Sequence, residues 1–94
     1  MSGYRKGRDR EYRAQRILEA AGYTTTRAAG SKGAADLIAW DSQRIRFISV
    51  KAGTKYASAI EREALMQLPK PSNATCEIWR FPDRAKEPLI EVVS

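Results

Sequence analysis

The sequence predicts an α/β domain with the element order α-β-β-β-α-β-β. Three observations predict it. A helical-period apolar stripe runs up to Gly22, alternating runs separated by turn residues follow it, and a capping box at Ser58 opens a second helix that prolines close before two more strands.

Residues 1–7 are polar, basic and glycine-containing, and read as a loose basic arm. From about residue 8 to residue 21 the pattern is helical, with Ala14, Ile17, Leu18 and Ala21 on one stripe and Gly22 as the stop. Carried three residues back, that stripe meets Glu11, so an ionisable group lies on the inward face. Residues 23–28 are threonine-rich and read as a strand. Residues 29–34 form a tight turn of small residues. Residues 36–40 read as a second strand, Asp41, Ser42 and Gln43 as a hairpin turn, and residues 44–51 as a third strand. In that third strand Ile45, Phe47, Ser49 and Lys51 share one face, and Arg46, Ile48 and Val50 the other.

Residues 53–57 form a loop. Ser58 and Glu61 have capping-box spacing, and the helix they open runs to about residue 68. Ile60, Ala64, Leu65 and Leu68 supply its apolar side, and Pro69 and Pro71 end it. Residues 75–81 and 89–93 read as strands joined by a turn-forming stretch at 82–88. With 94 residues there is room for one core, so the chain reads as a single domain.

Seventeen Lys and Arg oppose eleven Asp and Glu, a formal charge of +6 that favours polyanionic partners, nucleic acid first and an anionic membrane surface second. The charge is densest in the segment holding Arg5, Lys6, Arg8, Arg10, Arg13 and Arg16. That segment reads equally as a solvated helix face or as a DNA-backbone surface. There is no histidine, and Cys76 is the one cysteine. This composition excludes an intrachain disulfide, the usual zinc sites, and Ser-His-Asp or Cys-His catalysis. Any enzyme chemistry must come from carboxylates, lysine or hydroxyls. No apolar run has membrane-spanning or signal-peptide character, so a soluble, cytoplasmic protein is expected.

Three positions combine into a candidate site. Asp36 starts a strand directly after the glycine-rich turn. Lys51 ends the next strand, two residues after Ser49. Glu11 lies on the inner face of the first helix. A short hairpin joins the strands of Asp36 and Lys51, so a sheet can hold both at one strand end. Phosphodiester hydrolysis uses such a set: carboxylates hold Mg²⁺, a lysine orients water or stabilises phosphate charge, and a carbonyl such as that of Val50 completes coordination. Each residue alone has an ordinary explanation, as turn, strand end or ion-paired helix residue. The turn at Gly30, Ser31, Lys32 and Gly33 lacks the ending of a P-loop. Trp40, Trp79 and Phe81 fall on strands, where packing explains them better than base stacking.

The run Arg27-Ala28-Ala29-Gly30-Ser31-Lys32-Gly33-Ala34-Ala35-Asp36-Leu37-Ile38-Ala39 resembles the R-x-x-G-S-x-G-x-x-D-hydrophobic signature of the archaeal-type Holliday junction resolvases. Glu11 and the segment Ile48-Ser49-Val50-Lys51 fall where that family has its helix glutamate and its E-V-K motif. The resemblance implies a restriction-endonuclease-like (PD-(D/E)XK) fold, a central mixed sheet flanked by helices. It implies an endonuclease of DNA recombination and repair that acts on branched double-stranded DNA. It also implies Glu11 and Asp36 as metal ligands, Lys51 as the catalytic lysine, Ser31 beside the scissile phosphate, and a symmetric homodimer. Mg²⁺ is the implied metal, with Mn²⁺ as a substitute. Arg27 and the N-terminal residues Arg5, Lys6 and Arg8, with Lys32 in the turn, are the implied DNA contacts. The small size suits a phage or prophage protein.

Ser49 departs from the family pattern, which has glutamate there. Three readings follow. A carboxylate of the next helix, Glu61 or Glu63, compensates, and Glu61 is explained equally by its capping-box position. Alternatively Glu11, Asp36, a carbonyl and water suffice with weaker metal affinity. Or the chain is a binding-only form, natural or substituted at this position. A related nuclease acting on flaps, nicks or ends is a further reading of the same fold.

Overall fold

The computed structural model describes residues 3–28, 35–53, 56–84 and 86–94, with side chains from residue 9 onward. The elements follow the predicted order: α1 (Gly3–Ala20), β1 (Thr24–Arg27), β2 (Leu37–Trp40), β3 (Ile45–Ala52), α2 (Ala59–Met66), β4 (Ala74–Phe81) and β5 (Leu89–Val92). The described strands form one sheet in the order β1-β2-β3-β4-β5. All neighbours are antiparallel except β3 and β4, which run parallel because α2 carries the chain back between them.

Helix α1 packs on one face of this sheet. Ala14 and Leu18 meet Leu37, Ala39, Ile48, Trp79 and Phe81 in the larger core cluster. On the other face Leu65 of α2 packs with Cys76 and Ile78, with Phe47 and Leu68 against them. Adjacent residues of one strand, such as Phe47 and Ile48 or Ile78 and Trp79, serve opposite clusters, as strand alternation requires.

The strand bounds shift by a residue and α2 ends at Met66 rather than about residue 68, but the larger differences from the sequence reading are in α1. Helix α1 begins at Gly3, so residues 3–7, expected as a loose arm, are helical. Tyr4, Arg5, Lys6 and Arg8 tolerate a helix well, and one internal glycine weakens a helix without breaking it. The helix also ends one residue early, leaving Ala21 exposed in the turn. The stop itself is as expected. Gly22 has φ +98°, its N–H donates to the Glu19 carbonyl at 3.0 Å, and the Tyr23 N–H donates to the Leu18 carbonyl at 3.0 Å. This is a Schellman motif, and Tyr23 packs against the α1-side core beyond it.

Helix α2 carries the predicted capping box: the Ser58 hydroxyl accepts from the Glu61 N–H, and the Glu61 carboxylate accepts from the Ser58 N–H. Its apolar side is narrower than expected. Leu65 is buried, but Ile60 is 82% exposed and Ala64 is also exposed. Eight residues allow the helix only a short line of contact with β4.

Glu77, in the middle of β4, is a buried carboxylate that sequence reasoning did not single out. It accepts from Arg46 Nε and Nη2 at 2.8 Å each, from Thr75 Oγ1 at 2.7 Å and from Trp79 Nε1 at 2.8 Å. Arg44 Nη2 lies 3.8 Å away. Burial pushes this carboxyl up, but the donors from Arg46, Trp79 and Thr75 outweigh burial and hold it below its ordinary range. No described helix is long and apolar enough to cross a membrane.

Candidate active site

Asp36 is held between β1 and β3 just before β2 begins. Its N–H donates to the Ile48 carbonyl at 2.8 Å, and its carbonyl accepts from the Ala28 N–H at 2.9 Å. Its side chain extends the ladder by one more bond: Oδ2 accepts from the Val50 N–H at 2.7 Å. The Asp36 carboxylate is therefore fixed against the backbone of β3 between Ser49 and Lys51.

The register Leu37↔Ile48, carried back one residue, sets Asp36 opposite Ser49. Leu37 and Ile48 both face α1, so alternation turns Asp36, Ser49 and Lys51 to the α2 side. Ser49 is only 5% exposed. Lys51 is partly buried, and its Nζ lies 2.5 Å from Glu61 Oε2. The second Glu61 oxygen, Oε1, accepts from the Ser58 N–H at 2.8 Å. Lys51 first, and then the Ser58 N–H, hold the Glu61 carboxyl below its ordinary range. Glu63 is exposed and accepts from Gln67 one turn along the same helix, away from Lys51.

Glu11 is half-buried on the inner side of α1, as its stripe position predicts, but its partner is Arg27. Arg27 Nε and Nη2 donate to Glu11 Oε1 at 3.0 and 2.9 Å, and the guanidinium lies over the Tyr12 ring at 5.4 Å. Gln15, one turn along the helix from Glu11, donates to Thr25 Oγ1. Arg27 closes β1 opposite Leu37, so the pair sits at the same sheet end as Asp36 but on the α1 face. The structure thus joins Asp36, Ser49, Val50, Lys51 and Glu61 in one group and Glu11 with Arg27 in another. Ser31, Lys32 and the side chains of Arg5, Lys6 and Arg8 lie outside the described residues.

Among the described residues, no group of three or more Asp, Glu, Cys or His is placed to hold a metal ion. The donors near Asp36 are all hard oxygens: its carboxylate, the Ser49 hydroxyl and the Val50 carbonyl. Such a set fits Mg²⁺, which is held by one or two carboxylates with water and phosphate oxygens, and does not fit zinc or calcium cages.

Arg80 is a cation that the sequence reading missed. It is the register partner of Lys51 across β3 and β4 and lies on the same face. Its guanidinium stacks on Tyr56 at 4.5 Å, and Nη1 donates to the Gly53 carbonyl at 3.5 Å. In the sequence it is one polar residue within a strand-like run, and nothing local marks it.

Over residues 2–75 the chain matches the family described as archaeal Holliday junction resolvase (Hjc). Among solved structures it is similar to that of Archaeoglobus fulgidus Hjc, a Holliday junction resolvase from an archaeal hyperthermophile. The TM-score is 0.80 at 25% identity, covering 94% of this chain and 73% of that one. No curated protein matches the chain.

Proposed function

The chain belongs to the archaeal Holliday junction resolvase family, and on that premise we propose that it is a structure-specific endonuclease that binds four-way DNA junctions and resolves them by phosphodiester hydrolysis. The observation that carries this reading is the anchoring of Asp36 across β3 from Ser49 with Lys51 on the same face. One fixed carboxylate to hold a metal ion and one ammonium on the same face to meet phosphate charge suit hydrolysis of a phosphodiester.

In this reading Asp36, with the Val50 carbonyl, would hold Mg²⁺ or Mn²⁺, and Glu11, paired with Arg27 at the same sheet end but in a separate group, is the second carboxylate that the resemblance implies. When bound, the ion supplies water activation and neutralisation of phosphate charge. Lys51 orients the attacking water and faces the charge that builds on the phosphate oxygens. Ser31, which the resemblance assigns to the scissile phosphate, would complete the site. Arg5, Lys6, Arg8, Lys32 and Arg27 contact the DNA backbone, where each neutralised phosphate adds salt-dependent affinity.

Paired cuts need two sites, so the active species is a homodimer. The edge strand β5 supports this, because Leu89, Ile90 and Val92 are all exposed there and an open apolar edge favours burial against another copy.

The test is a labelled four-way junction incubated with Mg²⁺ or Mn²⁺, with flapped, nicked and linear DNAs as competitors. Paired symmetric nicks in the junction, lost in Asp36→Asn, are expected. No cleavage at any protein concentration would sink the nuclease reading. Ser49, opposite Asp36 at the position where the family has a glutamate, favours one second reading, junction binding without cutting. That reading predicts salt-sensitive binding with cleavage appearing only in Ser49→Glu.

A further inference from the structure

We propose that Glu61 is the positioning residue for Lys51, an assignment that rests on the nuclease reading above. Lysine has a flexible stem and a compact charge, so a strand-end lysine has no fixed geometry unless something holds its ammonium. Here the Glu61 carboxylate does so, with Oε2 at 2.5 Å from Nζ.

Its own position is determined from two sides. Oε1 is tied to the Ser58 N–H at 2.8 Å, and the Glu61 N–H donates to Ser58 Oγ at 3.1 Å. Helix α2 is in turn seated on the sheet by Leu65, which packs against Cys76 and Ile78. A rigid path thus runs from the core through the helix start to the ammonium. The need for it comes from Arg80. Lys51 and Arg80 are register neighbours on one face, about 5 Å apart at the strand spacing, and like charges there repel. Each cation has its own partners: Arg80 is held by Tyr56 and the Gly53 carbonyl, and Lys51 by Glu61. Strand alternation already places Lys51 on the face of Asp36 and Ser49, and Glu61 fixes where its ammonium stands there.

The capping role and the positioning role of Glu61 can be separated. Gln at the same position keeps the capping box, since either side chain serves there, but removes the charge that holds Lys51. Ser58→Ala removes the cap and leaves the carboxylate beside Lys51. The experiment compares the wild-type chain, Glu61→Gln and Ser58→Ala. It measures melting temperature, junction affinity, single-turnover cleavage at saturating protein, and the rate of Lys51 reductive methylation followed by mass spectrometry.

For Glu61→Gln the expected result is an unchanged Tm and junction affinity, a cleavage rate lower by about 100-fold, the scale of a small misplacement at a reacting centre, and faster methylation of Lys51. For Ser58→Ala, Tm falls and Lys51 methylation stays close to wild type. Wild-type cleavage by Glu61→Gln would overturn the proposal, as would losses in both variants that simply track Tm. A wild-type chain that cuts nothing sinks the nuclease reading instead. The methylation rates then decide the Lys51–Glu61 contact alone, and equal rates in wild type and Glu61→Gln overturn it.

Discussion

Replacing Arg46 by methionine leaves the buried Glu77 carboxylate without its two-point partner while keeping most of the arginine's packing volume. Glu77 has a side-chain exposure of 1% and Arg46 one of 14%, so water cannot take over the lost bonds at Glu77 without opening the sheet. Removing one partner of a buried pair costs about 3–5 kcal/mol. Thr75 and Trp79 still donate at 2.7 and 2.8 Å, and Arg44 stands at 3.8 Å, which puts the cost near the lower end, about 3 kcal/mol. For a domain of this size each kcal/mol moves Tm by about 4–8 °C, so a fall of roughly 12–24 °C is expected by circular dichroism at neutral pH.

The pH dependence carries the sign. In the wild-type chain the Glu77 carboxyl is depressed, so its contribution is present above the ordinary carboxylate range and is lost as pH falls through the folded value. Without Arg46, burial dominates and the carboxyl moves up, so the variant recovers toward wild type as the pH is lowered to about 4. The double variant Arg46→Met with Glu77→Leu should regain most of the loss, because an apolar pair replaces the ion pair. A loss below about 1 kcal/mol in Arg46→Met, with no change in its pH profile, would refute the buried-charge account.

Three further outcomes follow from the same structure. Gly22→Ala should destabilise the chain by about 1–2 kcal/mol in urea titration, because its φ of +98° disfavours a side chain even though nothing lies within 4 Å of the added carbon. Asp36→Asn should leave the urea midpoint close to wild type, since the amide oxygen can still accept from the Val50 N–H, while junction cleavage is lost. The wild-type chain should also lose stability as pH drops below about 4.5, chiefly through Glu77. Glu61, Glu91 and Asp41 are depressed too, by Lys51, by Arg62 and by the Gln43 N–H respectively, but they are solvent-exposed and contribute little. A flat urea midpoint between pH 7 and pH 3 would contradict that ordering.

Much of the molecule was legible in the sequence because its signals are local. The Gly22 stop, the Ser58 and Glu61 capping box and the alternation of faces along β3, with Phe47 on one side and Ile48 and Val50 on the other, each depend on residues close in the chain, and each is present in the structure. The placement of Asp36 and Lys51 at one sheet end was also legible, since a short hairpin leaves β2 and β3 little choice but to pair.

What the tertiary structure alone decided are the partners of charged groups far apart in the chain. Arg27 takes Glu11, Arg46 takes Glu77, Glu61 reaches Lys51, and Arg80 comes to lie beside Lys51 because α2 brings β4 back parallel to β3. Ile60 shows the same limit from the apolar side. Its spacing suits a buried stripe, yet so short a helix meets the sheet through Leu65 and leaves Ile60 in water. Periodicity reports which face of an element a residue occupies. Which group waits on that face depends on strand order and crossover, and those are set by the burial of the whole core rather than by any one stretch of chain.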